Sequence, residues 1–242
     1  MDVEYFLKRR VEFIRQFYLI ASTAYIERKR LIESGEEPFV PPYSEDPEPA
    51  FLDEWMEAEE SLQVLARTCI SMLAAIFRLY FKAWEFRVRI PVDDSFKSDF
   101  KDGWLNGYKA YFARKLRIQF ENSPINLPVL EEIILVRNRT QHPEFITMDT
   151  LYYSDSDLKK LPHPFFIDER DASLFSETEE GERALLIAPP IQVTKEKLFF
   201  ALSEVVRFSE WLENVYCEQH ASGGENRGHS EFPTSRCELR RS

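Results

Sequence analysis

The chain has 242 residues, of which 44% are hydrophobic and 14% aromatic, and its formal net charge is −11. This length suits one domain with elaborations and allows a substantial buried core. The acidic balance argues against binding nucleic acid over the general surface, because such binding depends on Lys and Arg neutralising phosphates. Only the segment 77–142 has a net positive charge, because it contains 12 basic and 8 acidic side chains.

The N-terminal sequence MDVEYFLKRR is charged and has no signal-peptide core, and the longest apolar runs, such as Ser71 to Phe77, are too short to span a bilayer. The three cysteines have no metal-ligand spacing. We therefore expect a soluble cytoplasmic protein that uses no membrane, no cofactor and no metal ion.

Two long amphipathic helices are predicted first. Apolar residues spaced three and four apart predict a helix from Val3 to about Ser34. Five prolines between Pro38 and Pro49 predict an extended linker. A second helix is predicted from Phe51 to about Phe86. Its middle, CISMLAAIF, is apolar almost all round, which favours a central position in a helical bundle.

Two further helices are predicted after the break at residues 91–94. The first runs from about Ser98 to Gln119, and the second, which carries the motif described below, from about Pro128 to Gln141. A final amphipathic helix is predicted from Lys195 to Tyr216.

Residues 143–194 differ from the rest, since they hold five prolines and many acids. Short β-like runs at 164–167 and 184–187 predict a small hairpin within this insertion. We interpret the fold as mainly α, an antiparallel helical bundle in one domain (residues 1–219) with a small β-hairpin insertion before the last helix. Its parts are an N-terminal helix (1–36), a proline-rich linker (37–50) and the insertion (143–194), and a disordered tail (220–242) follows the domain.

The six residues from Arg137 to His142, RNRTQH, are the one segment in which the sequence suggests chemistry. Arginine supplies a permanent cation, asparagine a neutral amide, and histidine a side chain that titrates near neutrality. Together they suit phosphodiester cleavage without a metal ion. The pattern Arg-Asn-x-x-x-His is expected by chance in about one chain of this length in a hundred.

Helical geometry puts Asn138 and His142, four residues apart, on one face. Arg137 lies about 140° around the axis from His142, so it must reach the histidine by its long side chain or by unwinding of the last turn. Pro143 favours unwinding, because the residue before a proline is disfavoured in the α conformation. We expect His142 to lie at the helix C-terminus as a proton donor.

This motif and its setting resemble the HEPN superfamily, all-helical bundles whose nuclease members carry such an Arg-polar-x-x-x-His motif at the end of a late helix. The specific likeness covers six residues, and a looser one covers about residues 50–218. The resemblance implies a metal-independent endoribonuclease that dimerises so that two motifs face one cleft. It also implies a role as a toxin or as a component of a defence or conflict system.

Roles for the motif residues follow from the same resemblance. Arg137 would stabilise the charge of the phosphorane, Asn138 would orient the phosphate or His142, and His142 would transfer a proton to or from the ribose 2′-hydroxyl or the leaving oxygen. Glu144 stands where one subgroup has a tyrosine that a partner enzyme modifies, so that form of regulation is not implied.

Basic side chains before and within the motif are candidates for binding the substrate: Arg114, Lys115, Arg117 and Arg139. The partners expected are RNA, a second copy of the chain, and an antitoxin or regulatory protein.

Three alternatives remain open at the level of sequence. Arg137 and Arg139 could simply cap the helix C-terminus, with His142 a polar residue at its end. The chain could be a non-catalytic HEPN-like module that binds a partner protein or a nucleotide. It could also be a purely structural helical protein.

Overall fold

The computed structural model describes residues 2–43, 48–142, 150–168 and 189–222. These residues are mainly α-helical, as the sequence predicts. Helix α1 spans Val3–Ser34 and α2 spans Leu52–Val88. Both agree closely with the predicted helices, because in each of them an apolar stripe with helical periodicity extends over many turns. Gly35, which follows α1, has a φ of 64°, the left-handed conformation in which a helix commonly ends at glycine.

The predicted third helix, 98–119, is wrong as a single element. The structure divides it into α3 (Lys97–Lys101), α4 (Trp104–Tyr111) and a π-helical turn (Phe112–Leu116). Gly103 separates α3 from α4 with a φ of 113°, a conformation that L side chains rarely adopt. The π-helical turn ends at Arg117, whose backbone is also left-handed.

Helix α5 spans Leu127–Gln141 and carries the motif, α6 spans Asp155–Lys160, and α7 spans Lys195–Ser222. The sequence did not predict α6, although a complete capping box with Ser154 begins it.

No strand occurs in the described residues, where β pairing is limited to one antiparallel bridge between Tyr152 and Pro190. In the predicted hairpin, the run at 164–167 is irregular and the run at 184–187 lies outside the described residues. The hairpin therefore stays a prediction. The predicted start of the disordered tail at residue 220 is wrong, because α7 continues to Ser222, and residues 223–242 lie outside the described residues.

The described residues form two compact units. The first unit contains those of residues 1–12, 73–131 and 200–242. Its core is aromatic: the ring of Phe81 stacks on Tyr108 at 4.8 Å and meets Phe112, Phe120 and Phe208 within 5.8 Å. Such pairs stabilise a core beyond the area that they bury.

The second unit contains the described residues of 13–72 and 132–199. Its buried side chains include Cys69 and Ile70 of α2, Ile133 and Val136 of α5, and Tyr153 and Phe166 on either side of α6.

Among the described residues one helix, α2, is long and apolar enough to cross a membrane. Half of its most apolar stretch is buried inside the protein, and the core helix of a helical bundle has the same length and composition.

Glu132, on α5, is a buried polar group whose hydrogen bonds connect several segments of the second unit. Its side chain is 1% exposed. The carboxylate accepts hydrogen bonds from the backbone N–H groups of Phe165 and Phe166, both at 2.7 Å, and from the hydroxyl of Tyr153. One carboxylate therefore connects the motif helix to the non-helical residues on both sides of α6.

We predict that Glu132→Ala lowers the free energy of unfolding by about 3 kcal/mol or more, because three donors, two of them in buried hydrogen bonds, lose their acceptor. The matched control is the neighbouring Glu131→Ala. Glu131 is 39% exposed in its side chain and pairs with Lys109 at 2.5 Å, so its loss should cost less than about 1 kcal/mol. Urea unfolding measures both values, and equal losses would contradict the role given to Glu132.

The same group predicts how stability depends on pH. Burial raises the pKa of Glu132 above 4.5, against the opposing effects of its three donors and of Lys197. The folded state therefore holds this proton more tightly than the unfolded state. The stability that the protonated group contributes is complete below its ordinary pKa and is lost as the pH rises through the raised one.

We expect the unfolding free energy of the wild type, measured relative to Glu132→Gln, to fall as the pH rises from about 4.5. Parallel urea titrations of the two proteins across this range measure the difference. A difference that grows with pH would show that the pKa of Glu132 is lowered instead.

Candidate functional site

The last turn of α5 brings the motif to the protein surface. Earlier in the helix, Val129, Leu130, Ile133 and Val136 are at most 1% exposed and belong to the core. Beyond Val136 the pattern changes, since Asn138, Gln141 and His142 are exposed. The apolar face thus fixes the rotation of the helix, and the polar end residues emerge where the core ends.

Arg137 and Asn138 are in direct contact. The guanidinium Nη1 of Arg137 donates a hydrogen bond to Oδ1 of Asn138 at 2.9 Å. Arg137 is half-buried, and no carboxylate in the described part of the chain pairs with it. None of the described carboxylates therefore neutralises its positive charge.

His142 follows the helix directly. Its backbone N–H donates to the carbonyl of Asn138 at 3.0 Å, the hydrogen bond of a regular helical turn. The unwinding that Pro143 predicts does not occur at this amide. The imidazole of His142 is exposed. Asn138 thus contacts both other motif residues, Arg137 through its side-chain amide and His142 through its backbone carbonyl.

Arg139 has different surroundings. Its Nε and Nη2 atoms donate to Oδ2 of Asp157 at 3.1 and 2.6 Å, and both side chains are largely buried. Asp157 also closes the capping box of α6 with Ser154. Arg139 therefore ties the motif helix to α6, and a phosphate would have to compete with Asp157 for it.

The other predicted substrate-binding residues belong to the first unit. Arg114 pairs with Asp99 and Lys115 with Asp93, each at 2.9 Å. Both cations also lie over the ring of Phe96, at 5.2 and 5.5 Å from its centroid. Arg117 is exposed, at the left-handed end of the π-helical turn.

Two buried polar groups of the second unit were not found from the sequence. Glu132 sits in the run EEIILV, where an acid within an apolar stretch was the available signal. Arg67, on α2, is only 5% exposed, and its position within an apolar helix gave the same kind of signal.

The described residues contain no group of three or more His, Cys, Asp or Glu side chains that could hold a metal ion.

No protein-family model matches the chain, and comparisons with curated proteins and with solved structures found no significant match. The resemblance to the HEPN superfamily therefore rests on the motif residues themselves.

Proposed function

We propose that the protein is a metal-independent endoribonuclease of HEPN type, with Arg137, Asn138 and His142 as its catalytic residues. The observation that carries this proposal is the unneutralised charge of Arg137 beside an exposed asparagine and an exposed histidine. Had Arg137 been buried in an ion pair, it would have had a structural explanation and no capacity for a phosphate.

The two arginines of the motif provide an internal comparison. Arg139 is held by Asp157 and serves the packing of α6. Arg137, two positions earlier, has only a neutral amide as its hydrogen-bond partner among the described residues. An amide orients a guanidinium without cancelling its charge, so the remaining donors can bind the oxygens of a phosphate in a forked geometry.

The chemistry assigned to these groups is transesterification within RNA. The ribose 2′-oxygen attacks the adjacent phosphorus and loses its proton to a base, while the bond to the 5′-oxygen breaks and that oxygen gains a proton from an acid. Arg137 stabilises the negative charge of the phosphorane, and Asn138 keeps the guanidinium in place. The products are a 2′,3′-cyclic phosphate and a 5′-hydroxyl.

One imidazole cannot be base and acid in the same step. His142 is the only histidine of the motif, so a second copy of the chain is the natural source of the other imidazole. We propose a two-fold dimer in which two motifs share one cleft. We also propose that the protein acts as a toxin or as a component of a defence system, and that an inhibitory partner protein binds it.

We predict that Arg137→Ala and His142→Ala each slow RNA cleavage by at least about 100-fold, the usual effect of losing a transition-state cation or a general acid or base. Matched controls are Arg10→Ala and His163→Ala, which remove an exposed arginine and an exposed histidine elsewhere. Cleavage of a labelled single-stranded RNA in EDTA measures all four.

Controls that lose activity as the motif variants do would contradict this assignment. So would activity that disappears in EDTA and returns with magnesium. A folded wild type without any cleavage would favour the non-catalytic binding module.

A second prediction concerns subunit mixing. Sedimentation should give a dimer at micromolar concentration. When wild-type protein exchanges subunits with excess His142→Ala, the activity per wild-type chain should fall by roughly tenfold or more, because each mixed dimer retains one of two required imidazoles. A monomeric species, or activity unchanged by the inactive chain, would contradict the shared cleft.

A further inference from the structure

The second unit contains a cleft of about 610 Å³, separate from the motif residues. The N-terminal half of α2 forms one wall, with side chains from Asp53 to Arg67, and the extended segment 190–192 lies across from it. A volume of this size accommodates a small molecule or a short peptide.

Arg67 lies in this cleft and is only 5% exposed. Its carbonyl accepts a hydrogen bond from Ser71, but its guanidinium has no ion pair and no hydrogen bond within the described part of the chain. Burial lowers the pKa of its guanidinium, and only the charge of Glu60 opposes this. An uncompensated buried cation destabilises a fold. Glu60 compensates Arg67 only at a distance, so the guanidinium donors at the wall of the cleft are available to an anionic group of a ligand.

Other charges are arranged along the same side of α2. In the series Asp53, Glu60 and Arg67, each residue follows the previous one by seven positions. They therefore lie on one face of the helix, with about 10.5 Å along the helix axis between neighbours in the series. The neighbouring acids are already paired, Glu57 with Arg28 at 3.0 Å and Glu59 with Lys29 at 2.5 Å.

Asp53 and Glu60 have no ion pair within the described ranges. The cleft thus has at one end a cation without a hydrogen-bonded anion, and beyond it two exposed acids without an ion pair among the described residues. A ligand of the complementary pattern carries one anionic group and, at about 10 Å from it, a cation. Three residues of extended peptide span that distance.

We propose that this cleft binds a short basic peptide by its free C-terminal carboxylate. The carboxylate pairs with Arg67, and a lysine three residues earlier pairs with Glu60. Met56, 56% exposed, and the wall at Ile191 supply apolar surface for the backbone between them. The acids repel a polyphosphate, so this cleft is not a second site for RNA, and the inference does not depend on the ribonuclease activity.

The test uses the full chain and the peptide acetyl-Lys-Ala-Ala-Ala, titrated by calorimetry without RNA. The free acid should bind saturably, with one peptide per chain. Its C-terminal amide should bind at least about tenfold more weakly, because a charged hydrogen-bonded pair is lost. Acetyl-Glu-Ala-Ala-Ala, which reverses the charge opposite Glu60, should weaken by a similar factor.

Two variants separate binding from folding. Arg67→Met should weaken binding of the free acid at least about tenfold while the unliganded protein keeps or gains stability to urea, since a buried unpaired charge is removed. Glu60 is exposed, so Glu60→Gln should weaken binding of the lysine peptide and lower stability to urea only slightly, through the lost attraction between Glu60 and Arg67.

The proposal is overturned if the wild type shows no saturable binding up to about 10 mM peptide, or if acid and amide bind equally. Loss of stability in Arg67→Met, with peptide binding intact in Glu60→Gln, would identify Arg67 as a structural residue instead. Should Arg67→Met fail to fold, the comparison of acid with amide on the wild type decides. A peptide that does not bind would overturn this proposal without bearing on the ribonuclease proposal, because the peptide titration contains no RNA.

Discussion

The second unit depends on a carboxylate buried without a cation in its immediate hydrogen-bond shell. Glu132 accepts hydrogen bonds from Tyr153, Phe165 and Phe166, which lie in a stretch with no strand of its own. Irregular backbone can be buried only where its N–H groups find acceptors. The side chain that satisfies them lies on the same buried face of α5 as Ile133 and Val136, and the helix continues beyond this face to the exposed His142.

Local charge matters more than the total in this protein. The chain is acidic overall, with a formal charge of −11, so its total charge does not favour binding of RNA. Many of the cations in the described ranges are also consumed by acids, as Arg139 is by Asp157. Two arginines are exceptions to this pairing of cations with acids. In the described part of the chain Arg137 and Arg67 have no ion pair; the first lies beside an amide and the second lines a cleft.

Sequence periodicity predicted the long helices well, because their apolar stripes extend over many turns. It failed at the helix predicted for 98–119, where the conformation of Gly103 decides the outcome and a periodic pattern continues through it. Pattern reasoning also treats a lone glutamate as surface, so it missed the buried role of Glu132. Which arginine of the motif is neutralised depends on Asp157, eighteen residues beyond Arg139. Only the folded chain brings them together.

The central claim is that the end of α5 directs attack by a ribose 2′-hydroxyl. The most direct measurement uses one RNA whose cleavage position has been mapped, and a second RNA with a single 2′-deoxynucleotide on the 5′ side of that position. The account predicts that the deoxy substitution stops cleavage there while neighbouring sites are still cut, because the nucleophile is missing. Cleavage at the substituted position at the original rate would mean that water attacks instead, and would contradict the mechanism assigned to Arg137 and His142.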